Sequence, residues 1–199
     1  GSTPEDVGLN PAPFDQLRAV VTEEVHTLGS LSGVAHLVLH KGRCVFAHAD
    51  GWANLETGSR FDLRTLCRLH SCTKPLTVAA FLTLVDDGSV RLSDLVSKYV
   101  AFSACVSQGQ GTPKKAKAEA TLRDLLAMTA GLGYEDCTAY AELMRGVKRH
   151  EVTSLAEFSG ALAGLPLQAE PGTKHEYSFC ADIVGRICEV VSGQRLDTF

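Results

Sequence analysis

The sequence predicts an α+β fold: a mostly helical region joined to an N-terminal hairpin of an incomplete antiparallel sheet. Three observations carry that prediction. Residues 31–40 and 43–50 alternate and are rich in β-branched side chains, with the tight-turn signal Lys41-Gly42 between them. The segments after Pro75 place their apolar residues at helical spacing. No late strand follows that could pair with the hairpin, and the chain ends just after a helical segment. A lone hairpin is marginal and leaves an open edge, so a companion fragment or self-assembly would be needed to complete the sheet.

The elements follow in order. Residues 1–10 read as a loose N-terminus, with Gly1-Ser2 resembling an expression remnant. Phe14, Leu17, Val20, Val21, Val25 and Leu28 set a helix over 11–30, which Gly29 stops. After the hairpin, 51–58 is a loop and 61–69 an extended approach to a helix over 71–87. Leu76, Ala79, Ala80, Leu82, Thr83, Leu84 and Val85 cover most of that helix's circumference, so it is expected to be central and buried. Pro75 fits only in its first turn, where a missing N–H needs no partner, and this puts Ser71 at the helix N-terminus. A short helix is expected within 92–102 and a polar surface loop over 103–120, whose Lys114, Lys115 and Lys117 read as solvated charges. Thr121-Leu122-Arg123-Asp124 caps a short helix through Met128, and 131–134 is a turn. Helices over 135–149 and 154–162, a Pro/Gly-bounded loop over 165–173 and a last helix over 180–191 complete the chain. With no repeat and no compositional break, 1–199 reads as a single, truncated domain.

Composition narrows the function. Hydrophobic residues at 45% and charged residues at 21% suit a globular domain with a real core. A net charge of −4 argues against nucleic acid or acidic lipid as the partner. No apolar run reaches the roughly 18 residues that a membrane span requires. The seven cysteines, Cys44, Cys67, Cys72, Cys105, Cys137, Cys180 and Cys188, are dispersed, odd in number and free of Cys-x-x-Cys spacing. They read as reduced thiols of a reducing compartment, cytoplasm or organelle matrix, and not as a disulfide frame or a zinc site.

The chemistry centres on Ser71 and Lys74, three residues apart and so on one helix face. A hydroxyl beside an amine makes a nucleophile with a candidate base; the plainer reading is a helix cap and a surface lysine. His70 adjoins Ser71, but neighbouring residues on a helix point apart. Cys72 reads as a small thiol. His36 and His40 share a strand face that His48 could join, yet packing or surface histidines are the stronger reading than a metal cluster. Trp52 reads as a packing residue, and Phe179 as packing or as a substrate wall.

An ordered set of segments resembles the serine β-lactamase and penicillin-binding-protein-like superfamily, in its branch of class C β-lactamase-related esterases and transesterases. The segments are the hairpin with Gly51-Trp52-Ala53, Ser71-Cys72-Thr73-Lys74-Pro75, Val85-Asp86-Asp87-Gly88 running into Leu92-Ser93-Asp94-Leu95, Thr121 to Leu126 with Thr129-Ala130-Gly131-Leu132, and Pro171-Gly172-Thr173 with Tyr177-Ser178. The resemblance implies a β-lactamase/transpeptidase-like fold and a serine hydrolase or acyltransferase acting on a small ester or amide without metal or cofactor. Ser71 would carry the acyl group, Lys74 would take or shuttle its proton, assisted by burial that lowers an amine's pKa, and Tyr177 would complete the base network. The Ser71 N–H and one from a later strand would form the oxyanion hole. Two departures stand out. Phe179 occupies the place of the family's usual Asn, whose amide helps hold the substrate, which suits an acyl chain better than a β-lactam. The late Lys/His-Thr-Gly-type strand is missing. A non-catalytic binding or assembly protein, or an inactive fragment, is the alternative.

Overall fold

A computed structural model describes residues 2–108 and 111–199; Gly1, from the predicted N-terminal remnant, and Gly109 and Gln110, from the predicted surface loop, lie outside the described residues. Contacts group the chain into two compact units, Gly1–Arg68 and Leu69–Phe199.

In the first unit, the N-terminal segment contains one 3₁₀ turn at Glu5–Val7, closed by Thr3 and Asp6 bonding each other's backbone N–H. Helix α1 (Ala12–Thr22) continues as a single π turn over Glu23–Thr27, so the predicted helix keeps its extent but not its winding to the end. Val21 and Val25 from this helical run are buried, as are Val45 and Phe46 from the hairpin, and the Phe14 ring lies 5.1 Å from that of Phe46. The hairpin pairs β1 (Gly33–His40) with β2 (Arg43–Asn54), from Gly33 opposite Gly51 to His40 opposite Arg43. Lys41 and Gly42 both have positive φ, 49° and 76°, as a two-residue hairpin turn requires.

Two expectations are corrected here. β2 runs beyond residue 50 into the predicted loop and pairs with β3 (Ser59–Arg60). Gly51 is a strand residue at a close approach: a Cβ there would sit 2.4 Å from the Ser32 carbonyl oxygen. The segment 61–69 is not a strand, because Asp62 folds it into a turn, accepting the Arg64 N–H on Oδ1 at 2.7 Å and the Thr65 N–H on its carbonyl at 3.1 Å.

The second unit is organised on its last helix. Here α2 (Thr73–Asp86) follows a 3₁₀ turn at His70–Cys72. α2 is not the fully buried helix expected: Thr77, Phe81 and Leu84 are buried, while Leu76 remains 60% exposed. Only one stripe is covered, whatever the apolar content of the rest. The short helix expected within 92–102 is a 3₁₀ turn at Val96–Lys98. Asp94 sets its geometry by accepting Tyr99 Oη at 2.5 Å, Lys98 Nζ at 2.9 Å and the Arg91 N–H at 3.1 Å. The 103–120 loop contains a hairpin, β4 (Cys105–Gln108) with β5 (Gly111–Lys115), whose second strand is exposed throughout. Pro113 is tolerated because β5 is an edge strand. β4 is stitched to Leu167 by two backbone bonds, Ser107 N–H to its carbonyl at 2.7 Å and its N–H to Cys105 at 2.8 Å.

Helix α3 (Leu122–Leu126) opens on the capping box expected from Thr121 and Asp124. α4 (Thr138–Lys148) and α5 (Leu155–Ala163) follow, the latter capped by Ser154. α6 (Cys180–Ser192) ends at Gly193, with φ 71°. It packs against α2, α3 and α5, and buries Cys180, Ala181, Ile183, Val184, Gly185, Ile187 and Cys188. Full burial of one Ile is worth about 1.5–3 kcal/mol, so this helix is the main apolar anchor of the unit.

Candidate active site

Ser71 and Lys74, paired by their spacing, and Tyr177, added by the family resemblance, meet at one point of the second unit. Lys74 Nζ donates to Ser71 Oγ at 3.1 Å and to Tyr177 Oη at 2.6 Å, and the two hydroxyls hydrogen-bond each other. The triangle spans more than one hundred residues of chain, so it is a product of folding and not of local sequence.

Each corner has its own support. Ser71 sits in the 3₁₀ turn that leads into α2, and the preceding His70 has φ 48°. A non-glycine residue held there costs on the order of 1–3 kcal/mol. Lys74 is the second residue of α2 and Pro75 the third, within the first turn as expected. Tyr177 lies in the segment before α6. The Glu176 N–H donates to the Met128 carbonyl at 2.8 Å, and the Ser178 hydroxyl lies 3.1 Å from Cys180 Sγ. Tyr134 packs edge-on against the Tyr177 ring, 5.1 Å between centroids. Gly131 is required nearby: its φ is 83°, and a Cβ would lie 2.2 Å from the Ala169 carbonyl oxygen.

The electrostatics single out the phenol. Hydrogen bonding from Lys74, and then from Ser71, holds Tyr177 below its ordinary pKa of 10.0. Burial has the opposite effect on Tyr134 and pushes that phenol up. Lys74 Nζ also lies 4.6 Å from the Tyr177 ring centroid, a second interaction that keeps the cation at this tyrosine. Lys74 Nζ therefore contacts both the hydroxyl and the ring of Tyr177 as well as the Ser71 hydroxyl.

Beside the triangle lies a cavity of about 440 Å³. Ser71, Lys74 and His70 line it together with an apolar wall that includes Tyr134, Met144, Phe158 and Phe179. Phe179 is 5% exposed and packs against Tyr134 at 4.7 Å and Phe158 at 5.3 Å, so it acts as both core residue and cavity wall. His70 makes no hydrogen bond to Ser71, and Cys72 is an exposed thiol. A larger cavity of about 870 Å³ runs along Thr73, Leu76 and Thr77 of α2, but its Arg186 and Glu189 pair with each other at 2.9 Å and it contains none of the three site groups. Among the described residues, no cluster of three or more His, Cys, Asp or Glu is suited to a metal ion; His36 and His48 simply face each other across the first hairpin.

Sequence reasoning missed Tyr134 and Asp182. Asp182 faces the same cavity from the first turn of α6. Its signal was a lone acid among the apolar residues Cys180, Ala181, Ile183 and Val184.

Comparison with known proteins gives the setting. The family described as "Beta-lactamase" matches residues 17–199. Esterase EstB of Burkholderia gladioli is 29% identical over 172 residues, covering 83% of this chain and 42% of that protein. The solved structure of EstCE1, described as a hydrolase with promiscuous acyltransferase activity, superposes with a TM-score of 0.77 at 24% identity, covering 93% of this chain and 48% of that one. An octameric penicillin-binding protein homologue from Pyrococcus abyssi superposes with a TM-score of 0.74 at 23% identity, covering 93% of this chain and 40% of that one. The chain therefore spans less than half the length of these relatives, and the β-lactamase/transpeptidase-like α+β fold is common to all of them.

Proposed function

The chain belongs to the beta-lactamase family, and we propose that it serves as a serine hydrolase or acyltransferase working through an acyl-enzyme on Ser71. The observation that carries the reading is the closed triangle of Ser71, Lys74 and Tyr177.

In this reading Tyr177, as phenolate beside the Lys74 ammonium, takes the Ser71 proton while Oγ attacks an ester or amide carbonyl. The new C–O bond places a negative charge on the carbonyl oxygen, toward which the Ser71 backbone N–H is one donor. Collapse breaks the bond to the leaving group, which departs with the proton held by Tyr177. Water or an acceptor alcohol then gives a proton to Tyr177 and attacks the acyl-enzyme; as the acyl C–Oγ bond breaks, Tyr177 passes that proton to Ser71 Oγ, releasing an acid or a new ester and restoring both groups. Positioned proton transfer of this kind contributes about 10²–10⁴-fold. The apolar cavity wall supports an acyl group as the substrate portion held there.

A small-molecule ester is the substrate class we infer, in a reducing compartment, on the strength of seven cysteines that are all free. Phe179 favours a second reading, a non-catalytic binding or assembly member, because a buried ring replaces the amide that would hold substrate. Turnover of an aryl ester separates the two: the catalytic reading expects hydrolysis lost in Ser71→Ala at unchanged thermal stability. Hydrolysis that persists in Ser71→Ala sinks it.

A further inference from the structure

The polar group absent at Phe179 has a counterpart one helical turn later. Phe179 is the N-cap of α6 and Asp182 its third residue, so the two share a face, and both line the cavity beside Ser71 and Lys74. The Asp182 backbone N–H donates to the Phe179 carbonyl at 3.1 Å, and its side chain makes no ion pair among the described residues. Lys74 is the cation that acts on it through space, and burial is the main influence on its carboxyl, which it pushes up. Asp182 is half-buried, and a carboxylate set beside an apolar wall is costly unless something there compensates it. The α6 N-terminus favours an acid in this turn, but it would do so equally for one facing solvent.

We propose that Asp182 is a specificity-determining residue that selects acyl groups bearing an ammonium or another N–H donor and rejects those bearing a carboxylate. The inference rests on the reading of Ser71 as the acylated residue. An amide both donates and accepts, whereas an ionised carboxylate only accepts. Replacing the first with the second at this site therefore changes which substrates fit: a donor on the acyl group finds a partner, and an anion meets a like charge at Asp182. The aromatic and aliphatic wall formed by Tyr134, Met144, Val147 and Phe158 would hold the hydrocarbon between that donor and the carbonyl.

The test uses three phenyl esters of trans-cyclohexanecarboxylic acid, carrying aminomethyl, ethyl or carboxymethyl at the ring position opposite the ester. Their binding to Ser71→Ala, which cannot be acylated, is measured by calorimetry at neutral pH. The ammonium ester is expected to bind tighter than the carboxylate ester by about tenfold or more, as a charge-assisted hydrogen bond provides. The preference should collapse in Ser71→Ala/Asp182→Asn and survive in Ser71→Ala/Asp182→Glu. Equal binding of all three esters, no binding of any, or a preference that Asp182→Asn leaves intact would overturn the proposal. If the Asn variant does not fold, the three-ester comparison with Asp182 present still decides. Failure of the acyl-enzyme reading looks different: the ammonium preference would hold while the Ser71 chain neither turned over an ester nor accepted a covalent probe.

Discussion

The two compact units use their secondary structure differently. In the first, the hairpin is long but thinly covered: Leu37 and Leu39 of β1 are 57% and 63% exposed, while Val45 and Phe46 of β2 are buried, as are Val21 and Val25 of the helical run. In the second, one helix is buried along most of its length, and the turns carrying Ser71 and Tyr177 adjoin helices that pack on each other, α2 and α6. The difference teaches that site precision here comes from α6 and its neighbours. All three groups of the triangle, and the cavity beside them, lie within Leu69–Phe199.

The largest effect expected is chemical. Tyr177→Phe removes the proposed proton acceptor and should lower kcat/KM for an aryl ester by about 10²–10⁴-fold, with little change in Tm because the ring packing remains. The pH profile sharpens this. In the proposed mechanism the phenolate is the reactive form, so activity should rise with pH and level off below pH 10, and Lys74→Ala should move that rise to higher pH. A profile unmoved by Lys74→Ala would contradict the pairing.

The next effect concerns the core. Ile187→Ala should destabilise by about 2–5 kcal/mol in urea, while Leu39→Ala on the first hairpin should change stability by no more than about 0.5 kcal/mol. Similar losses at both positions would erase the contrast between the units. Smaller again, Thr121→Ala removes the capping box of α3 and should cost about 1 kcal/mol.

The smallest is an acid-limb effect. Hydrogen bonding from Tyr99, and then from Lys98, holds Asp94 at about 2 in the second unit. A depressed carboxyl stabilises the fold above its unfolded value, near 3.9, and that contribution is lost as pH falls toward 2. Asp94→Asn should therefore flatten the pH dependence of the urea midpoint across that window. An unchanged slope would remove Asp94 from the account.

Much of this was legible in sequence because it was local. Lys41-Gly42 fixes the turn of the hairpin, Thr121 and Asp124 cap α3, and Ser71 and Lys74 share a motif. What escaped depends on distant partners. Gly51 reads as a loop glycine until Ser32 is placed against it, and the Lys-rich β5 reads as a loop until β4 pairs with it. The apolar circumference of α2 could not reveal that only its Thr77, Phe81 and Leu84 stripe is buried. Tyr134 and Asp182 escaped for the same reason: an edge-on ring contact and a shared cavity are not written in residue spacing.

The central claim is that Ser71 is an activated nucleophile. Its most direct test is intact-mass measurement after exposure to a fluorophosphonate probe, with Ser71→Ala and Tyr177→Phe alongside. The account predicts one added probe mass per chain, mapped to the peptide containing Ser71, absent in Ser71→Ala and strongly slowed in Tyr177→Phe. No mass gain on the folded chain, or a label that persists in Ser71→Ala, would contradict it.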